Sequence, residues 1–241
     1  MGKMFLFVSV FGYAVAASAF GGSPGYGPLT IGIIGDSTVC DYPEENPLRG
    51  WGQMLPDYLA EDVIVINEAK PGCSTKTFPP ERWQKLLAAR PDFVLIQFGH
   101  NDSHAKGRPE STDADSDFKD YLRRFIREAR QAGIAPILVT PPHRRLFKNG
   151  QVTHELLPYA KAMKAVADEE GVPLVDLQAM SGDEFQSLGE DGSAFYNVHG
   201  KGADDRTHFS EAGARRLAMM VSTNLATIDP SLESVVVISE P

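Results

Sequence analysis

The stretch that decides the fold reads Leu29-Thr30-Ile31-Gly32-Ile33-Ile34-Gly35-Asp36-Ser37-Thr38. Its first part is a continuous apolar run, which indicates a strand buried on both faces, as in a parallel sheet covered by helices. Its second part is a tight turn, and ligands of α/β proteins collect outside the carboxyl ends of such strands. The stretch therefore predicts an α/β fold that presents the Ser37 hydroxyl at one edge of its sheet.

Similar apolar runs recur along the chain and alternate with amphipathic segments. The apolar runs predict five strands, over residues 30–35, 62–67, 92–98, 134–140 and 172–176. The segments with apolar residues at i, i+3, i+4 and i+7 predict helices over 80–90, 115–131, 155–170 and 209–226. We therefore expect a three-layer α/β/α sandwich around a central, mostly parallel five-stranded sheet.

Three other parts of the chain are less regular. Gly150 interrupts one predicted loop, and residues 190–206 are predicted to form another. The tail over 230–241 contains the run Val235-Val236-Val237-Ile238, which either forms an edge strand or stays loose. No repeat and no second domain is evident, so residues 29–241 are predicted to form a single domain.

The N-terminus is predicted to lie outside the fold. Residues 1–19 have the pattern of a secretory signal peptide, with Lys3 near the start, a short apolar core and the cleavage site Ala17-Ser18-Ala19. Residues 20–28 contain proline and several glycines, which is typical of a flexible linker. We therefore expect an exported protein, either periplasmic or extracellular.

Composition limits the class of partner. The 241 residues are 42% hydrophobic and 23% charged, which is typical of a globular domain with a substantial core. The net charge is −9 at pH 7. An acidic chain is poorly suited to nucleic acids and anionic membrane surfaces, so neither is expected as a partner. A monomer is expected.

Partners for a nucleophilic serine occur in the C-terminal part of the chain. A serine hydroxyl needs a general base, and the base needs a third group that orients it. His208 suits the base of Ser37, and Asp205, three residues earlier, suits the orienting carboxylate. Such a triad needs no metal and no organic cofactor. An alternative makes His199, Asp204, Asp205 and His208 a metal cluster, but it leaves Ser37 without a role.

Two further loops supply candidates for an oxyanion hole. The second predicted strand leads into Pro71-Gly72-Cys73-Ser74, and the third ends in Gly99-His100-Asn101-Asp102. An oxyanion hole needs several hydrogen-bond donors aimed at one point. The backbone N–H groups of Ser37 and Gly72 and the side-chain amide of Asn101 are predicted to be these donors.

Together these residues resemble the SGNH (GDSL) hydrolases. The four blocks of that family are matched by Gly35-Asp36-Ser37, Gly72, Gly99-His100-Asn101-Asp102 and Asp205-Arg206-Thr207-His208. Five stretches further resemble the rhamnogalacturonan acetylesterase branch, which is carbohydrate esterase family twelve. They are Gly35-Asp36-Ser37-Thr38-Val39, Gly50-Trp51-Gly52, Phe98-Gly99-His100-Asn101-Asp102, Thr140-Pro141-Pro142 and Thr207-His208-Phe209-Ser210. The resemblance covers about residues 29–226.

The resemblance implies the flavodoxin-like SGNH fold and a serine esterase. The triad would be Ser37, Asp205 and His208, with Gly72 and Asn101 at the oxyanion. The implied substrate is an acetylated polysaccharide or oligosaccharide, above all acetylated rhamnogalacturonan in pectin. The alternatives are another acetylated glycan, such as acetylxylan or a sialic-acid acetyl ester, and a carbohydrate-binding protein without activity.

Further side chains near these loops are candidates for substrate contacts, namely Asp36, His100, Arg144 and Arg145. The two arginines follow the fourth predicted strand, and arginine forks suit carboxylates; the alternative is a solvated loop. Four aromatic side chains could stack on sugar rings or pack in the core, namely Tyr42, Trp51, Phe78 and Trp83.

The two cysteines lie beside the predicted site. Cys40 follows Ser37 by three residues, and Cys73 is next to Gly72. An exported chain with two cysteines favours a disulfide, which here would join the nucleophile loop to the oxyanion loop. The alternative is two small buried thiols. Relatives often carry Gly-Arg-Ser in the second block, so Cys73 stands where an arginine is usual.

Overall fold

The computed structural model describes residues 28–198 and 205–237. The predicted signal peptide over 1–19 and the predicted linker up to residue 27 lie outside the described residues. Within the described ranges, no helix combines the length and the apolar character needed to cross a bilayer.

Five parallel strands form the central sheet. The strands in chain order are β1 Thr30–Gly35, β2 Ile64–Asn67, β3 Phe93–Gln97, β4 Ala135–Val139, β5 Phe147–Lys148, β6 Gln151–Val152 and β7 Leu174–Val175. The central sheet has the order β2-β1-β3-β4-β7, and each neighbouring pair runs parallel. The five predicted strands are confirmed, and their sheet is wholly parallel rather than mostly so.

Helices connect these strands. They are α1 Trp51–Met54, α2 Pro80–Ala89, α3 Asp117–Gln131, α4 Leu157–Glu170, α5 Leu177–Gly192, α6 Glu211–Leu225 and α7 Pro230–Glu233. The four predicted helices correspond to α2, α3, α4 and α6. Helix α2 ends at a left-handed Arg90 directly before Pro91, because the residue before a proline disfavours helical geometry.

Strand side chains alternate between two buried clusters. Ile33 and Leu95 belong to a cluster that includes side chains of α1, α5 and α6. Ile34 and Ile96 belong to a second cluster, which includes side chains of α2, α3 and α4. Successive side chains of a strand point to opposite faces, so helices cover both faces of the sheet. The predicted three-layer α/β/α sandwich is therefore confirmed.

Two regions differ from the sequence prediction. The predicted loop over 190–206 contains the end of α5, and a short 3₁₀ turn follows at Ala194–Tyr196. A kink at Gly189, where φ is 70°, interrupts α5. The loop around Gly150 is a small hairpin of β5 and β6. These elements are short or contain glycines, so their apolar periodicity is weak.

The C-terminal tail packs beside the 3₁₀ turn Leu55–Tyr58. The Ala60 N–H donates to the Val235 carbonyl at 2.8 Å, and the Val237 N–H donates to the Tyr58 carbonyl at 3.0 Å. Leu232 of α7 is fully buried. The tail through Val237 therefore forms a short antiparallel bridge rather than a full edge strand.

Candidate active site

The loops after four neighbouring strands meet the loop before α6 at one edge of the sheet. They border a cavity of about 410 Å³, a volume typical of small-molecule sites. Its lining residues are Ser37, Tyr42, Pro71, Gly72, His100, Asn101, His104, Arg144, Asp205, Thr207 and His208. Carboxyl ends of parallel strands share an edge, which explains why residues so distant in sequence come together.

Ser37, His208 and Asp205 form a hydrogen-bonded chain in this cavity. The Ser37 Oγ lies 2.8 Å from the His208 Nε2, and the His208 Nδ1 lies 2.8 Å from the Asp205 Oδ2. The imidazole thus contacts the serine with one nitrogen and a carboxylate with the other. This is the geometry that a base needs to take the proton of a serine hydroxyl.

The Asp205 carboxylate is held by the backbone of its own loop. Its Oδ1 accepts hydrogen bonds from the N–H groups of Thr207 and His208, both at 2.9 Å. Burial would raise the pKa of Asp205, but these hydrogen bonds and the His208 imidazole outweigh it, so the pKa is lowered. Asp205 is therefore ionised and can fix the orientation of the imidazole.

The loop that carries Ser37 is organised by Asp36. The fully buried Asp36 accepts hydrogen bonds at Oδ1 from the Thr38 N–H (2.9 Å) and the Thr38 hydroxyl (2.7 Å). The Tyr42 hydroxyl donates to the Ser37 carbonyl at 2.8 Å. Asp36 does not line the cavity, so the structure does not support its predicted contact with substrate. It lies beneath Ser37 instead.

The predicted oxyanion donors line the same cavity. Gly72 has φ of 76°, a conformation that glycine adopts readily and other residues rarely do. The Asn101 Nδ2 donates one hydrogen to the Cys73 carbonyl at 2.9 Å, which leaves its second hydrogen for a ligand. Among the described residues, none accepts a hydrogen bond from the N–H of Ser37 or Gly72. Three donors without a full set of partners thus border one cavity, and their role as an oxyanion hole stays a prediction.

Asp102 joins the two oxyanion loops from below. Its Oδ1 accepts hydrogen bonds from the hydroxyls of Thr75 at 2.5 Å and Thr112 at 3.0 Å. Its backbone carbonyl accepts one from the Tyr159 hydroxyl at 2.9 Å. Burial raises the pKa of Asp102 to about 7, although the threonine hydrogen bonds oppose the rise. Sequence analysis gave this residue no role, although its place after Asn101 was a signal.

His100 and Arg144 also line the cavity, and their contact with substrate stays a prediction. His100 is 2% exposed, and its Nδ1 lies 3.5 Å from the Asp36 Oδ2. Burial raises the pKa of Asp36, but this contact with His100 and the hydrogen bonds from Thr38 outweigh it, so the pKa is lowered. At 3.5 Å the contact is long for a hydrogen bond, and neither ring nitrogen makes a regular one. The Arg144 Nη2 donates to the His100 carbonyl at 3.0 Å.

Arg145 does not reach the cavity, so its predicted substrate contact needs correction. Its side chain is buried, donating from Nε to the Asn197 Oδ1 at 2.5 Å and from Nη1 to the Glu190 carbonyl at 2.7 Å. Neighbouring side chains of an extended segment point in opposite directions, which separates Arg145 from Arg144. Arg145 therefore holds the end of α5 in place.

The predicted Cys40–Cys73 disulfide is wrong, because both thiols are free and buried. Cys40 packs in the cluster on one face of the sheet, and Cys73 packs in the cluster on the other face. Burial raises the pKa of the Cys40 thiol to about 12. The two cysteines are thus the small buried thiols of the alternative.

The remaining candidates fall into two groups. Trp51, Phe78 and Trp83 are core residues, whereas Tyr42 lines the cavity. The other lining residues without a predicted role are Pro71, His104 and Thr207. Within the described ranges, no group of three or more histidines, cysteines and acids is placed to hold a metal ion. His199 and Asp204 of the metal alternative lie outside the described residues.

Comparison with known proteins gives consistent results. The GDSL-like lipase/acylhydrolase family matches residues 33–216. Rhamnogalacturonan acetylesterase RhgT of Bacillus subtilis is 38% identical over 213 residues, which are 82% of this chain and 90% of RhgT. The probable rhamnogalacturonan acetylesterase YesY of the same organism is 38% identical over 211 residues, covering 86% and 97%. The crystal structure of YxiM from Bacillus subtilis is similar with a TM-score of 0.71 and 29% identity, covering 83% of this chain and 56% of YxiM.

Proposed function

Because the chain belongs to the GDSL-like lipase/acylhydrolase family and is a carboxylic ester hydrolase, we propose that it removes O-acetyl groups from acetylated rhamnogalacturonan. The observation that carries the reaction is the hydrogen-bonded chain from Asp205 through His208 to the Ser37 Oγ. The choice of polysaccharide is supported by the similarity to RhgT and YesY over most of their length.

The reaction begins with the Ser37 hydroxyl. His208 Nε2 takes the hydroxyl proton as Ser37 Oγ attacks the acetyl carbonyl carbon. The negative oxygen of the tetrahedral intermediate is stabilised by the N–H groups of Ser37 and Gly72 and by the Asn101 amide. Collapse of the intermediate breaks the bond to the sugar oxygen, which leaves with the proton from His208.

Hydrolysis of the acetyl-enzyme completes the cycle. His208 Nε2 removes a proton from water, and the resulting hydroxide equivalent attacks the acetyl carbonyl carbon on Ser37. The second intermediate expels the Ser37 oxygen, which recovers its proton from His208, and acetate leaves. Asp205 stabilises the imidazolium in both halves of the cycle through Nδ1.

The site of action is proposed to be outside the cytoplasm. The basic start, apolar core and Ala17-Ser18-Ala19 of residues 1–19 support export. Polysaccharides of the pectin type are too large to enter a cell intact, so an exported enzyme would meet them directly. N-terminal sequencing of the secreted protein tests this, since a first residue near Phe20 is expected and one at Met1 would contradict it.

Acetate release tests the proposed activity. Acetylated rhamnogalacturonan, acetylated xylan and p-nitrophenyl acetate are offered to the wild type, to Ser37→Ala and to the control Ser234→Ala, whose hydroxyl lies on the exposed tail. We expect preferential release from rhamnogalacturonan and a loss of at least about 10³-fold in Ser37→Ala. The control should match the wild type, and a chelator should change nothing.

The other outcomes separate the alternatives. Cleavage of p-nitrophenyl acetate without release from rhamnogalacturonan would keep the triad and overturn the substrate. Preferential release of acetate from acetylated xylan would make acetylxylan the substrate in place of rhamnogalacturonan. Binding of polysaccharide without turnover, identical in the wild type and Ser37→Ala, would support a carbohydrate-binding protein instead.

A further inference from the structure

We propose that the Tyr42 hydroxyl is a positioning group for the nucleophile, because it holds the peptide unit that follows Ser37. The inference rests on Ser37 being the nucleophile, as in the proposed function, but not on the choice of polysaccharide. It gives Tyr42 a part in the reaction that differs from the stacking on sugar rings for which its aromatic side chain is a candidate.

The peptide unit between Ser37 and Thr38 is held at both of its polar atoms. Its carbonyl oxygen, which belongs to Ser37, accepts a hydrogen bond from the Tyr42 hydroxyl at 2.8 Å. Its N–H, which belongs to Thr38, donates to the Asp36 Oδ1 at 2.9 Å. A peptide unit is planar, so hydrogen bonds at its two ends fix its rotation. That rotation sets the ψ angle of Ser37, and with it the position of the Ser37 side chain relative to the loop.

The peptide unit before Ser37 is held by the backbone. Its carbonyl oxygen, which belongs to Asp36, accepts hydrogen bonds from the N–H groups of Val39 at 3.2 Å and Cys40 at 3.1 Å. The N–H of a trans peptide points away from its carbonyl, so these bonds also aim the Ser37 N–H, a predicted oxyanion donor. Ser37 thus lies between two fixed peptide units. The Tyr42 hydroxyl is the contact that a substitution removes with least change, since phenylalanine keeps the ring.

Tyr42 is itself anchored to helix α1. The Gln53 side-chain amide accepts from the Tyr42 N–H at Oε1 and donates from Nε2 to the Tyr42 carbonyl, both at 3.0 Å. Tyr42 is partly buried and borders the cavity. Burial raises the pKa of its hydroxyl, so the hydroxyl keeps the proton that it donates. A continuous set of hydrogen bonds therefore runs from α1 to the Ser37 carbonyl.

The position of the Ser37 Oγ matters because it has two partners in the reaction. It lies 2.8 Å from the His208 Nε2, and it must also reach the acetyl carbonyl carbon. Misplacing a reacting group by about 1 Å can cost roughly 100-fold in rate. The Cys40 Sγ lies 3.8 Å from the same Ser37 carbonyl, but a thiol is a weak donor and does not replace the tyrosine hydroxyl.

Hydrolysis of p-nitrophenyl acetate by Tyr42→Phe tests the positioning role. This small ester has no sugar ring to stack, and the variant keeps the aromatic ring. We expect kcat to fall about 10- to 100-fold, with little change in KM or melting temperature. The rate at which a fluorophosphonate labels Ser37 should fall in parallel, because that reagent also needs a well-placed hydroxyl. Tyr121→Phe, on helix α3, is the matched control and should equal the wild type.

Gln53 supplies an independent variant. Gln53→Leu removes both hydrogen bonds to the Tyr42 backbone but leaves the hydroxyl, so kcat should fall in the same direction by a smaller factor. If Gln53 acts through the Tyr42 hydroxyl, Gln53→Leu should slow the Tyr42→Phe enzyme no further, whereas independent effects would multiply. Circular dichroism confirms the fold of each variant, and Gln53→Leu carries the test should Tyr42→Phe not fold.

A loss of less than about threefold in Tyr42→Phe would overturn the positioning role. So would a defect confined to Tyr42→Leu and to the KM for acetylated rhamnogalacturonan, which would make Tyr42 a sugar-stacking residue. Ser37→Ala is measured in parallel and reports the proposed function separately. Activity retained in Ser37→Ala would overturn Ser37 as the nucleophile, and the positioning role with it. An inactive Ser37→Ala beside a fully active Tyr42→Phe would overturn the positioning role alone.

Discussion

The carboxylate of Asp205 makes the contacts that fix the base. One oxygen accepts the N–H groups of Thr207 and His208, and the other contacts the His208 Nδ1. The loop therefore positions the carboxylate, and the carboxylate positions the imidazole. With the Nδ1 proton facing Asp205, the Nε2 lone pair faces Ser37, which is the tautomer that catalysis requires.

Asp205→Asn should show whether Asp205 orients the His208 imidazole or only packs beside it. The new amide keeps an oxygen for the backbone N–H groups but presents an N–H to His208 Nδ1, which forces the proton onto Nε2. We expect kcat to fall about 10³- to 10⁴-fold in p-nitrophenyl acetate hydrolysis, with little change in melting temperature. Asp62→Asn, at an exposed position, is the matched control. A loss below 10-fold would contradict this role.

At the residue scale, motif spacing predicted which residues meet but not where each side chain points. Ser37, Gly72, Asn101, Asp205 and His208 all line the cavity, since the first three follow β1, β2 and β3 and the last two share the loop before α6. The errors come from direction. Cys40 and Cys73 flank the site in sequence but turn to opposite faces of the sheet, and Arg145 turns away from its neighbour in the cavity.

At the element scale, the loops after β2 and β3 act as one unit. Thr75 of the first loop and Thr112 further along donate to the Asp102 carboxylate of the second, and the Asn101 amide donates back to the Cys73 carbonyl. Gly72 and Asn101, the predicted oxyanion donors, therefore keep their spacing through buried hydrogen bonds beneath the cavity.

The buried Asp102 carboxyl should make stability depend on pH. Its pKa is about 7 in the folded protein against an ordinary 3.8, so between these values the folded state binds the extra proton. Stability attributable to Asp102 therefore falls as the pH rises from about 4 to 7. The free energy of unfolding is measured in urea at pH 4 and pH 7. From pH 4 to pH 7, the free energy of unfolding of Asp102→Asn should rise by about 2–4 kcal/mol relative to that of the wild type.

The comparison between pH values removes constant effects of that substitution. Losing the carboxylate also changes its hydrogen bonds to Thr75, but that cost is the same at both pH values. Asp115→Asn, at an exposed carboxylate, should show no such gain. The raised pKa of Asp102 would be refuted if the wild type and Asp102→Asn differed in free energy of unfolding by the same amount at pH 4 and pH 7.

Element prediction was accurate where periodicity was strong. Helix α3 repeats its apolar residues in register, and the structure has it over Asp117–Gln131 against a predicted 115–131. Helix α5 was missed because its sequence mixes serine, glycine and acids with few apolar positions, and its buried apolar side chains are only Leu177 and Phe185. Its position is decided by packing against α6, which sequence spacing does not report.

At the scale of the whole molecule, the C-terminal tail packs against the first cluster, on the face of the sheet opposite the second cluster. Leu232 is fully buried among side chains of the first cluster, and the backbone after it bonds to Tyr58 and Ala60. The segment up to Val237 thus contacts the turn after α1. The tail therefore contributes to the stability of the domain, although it lies far from Ser37 in sequence.

Leu232→Ala should destabilise the domain by about 2–4 kcal/mol, since it removes a buried side chain and leaves a cavity. Urea unfolding measures the change. Val237→Ala is the matched control, because Val237 is 47% exposed and should lose little. Equal stability of the two variants would show that the tail is not part of the core.

The separation of Ser37 and His208 by 171 residues has a consequence for biosynthesis. A ribosome makes the chain from the N-terminus, so the nucleophile, both oxyanion loops and most of the sheet are complete before the base exists. Until the loop before α6 has been made and has docked, the hydroxyl has no group to accept its proton. A nascent chain, or one that terminates before His208, is thus chemically silent, and esterase activity appears only once translation has passed the codon for His208.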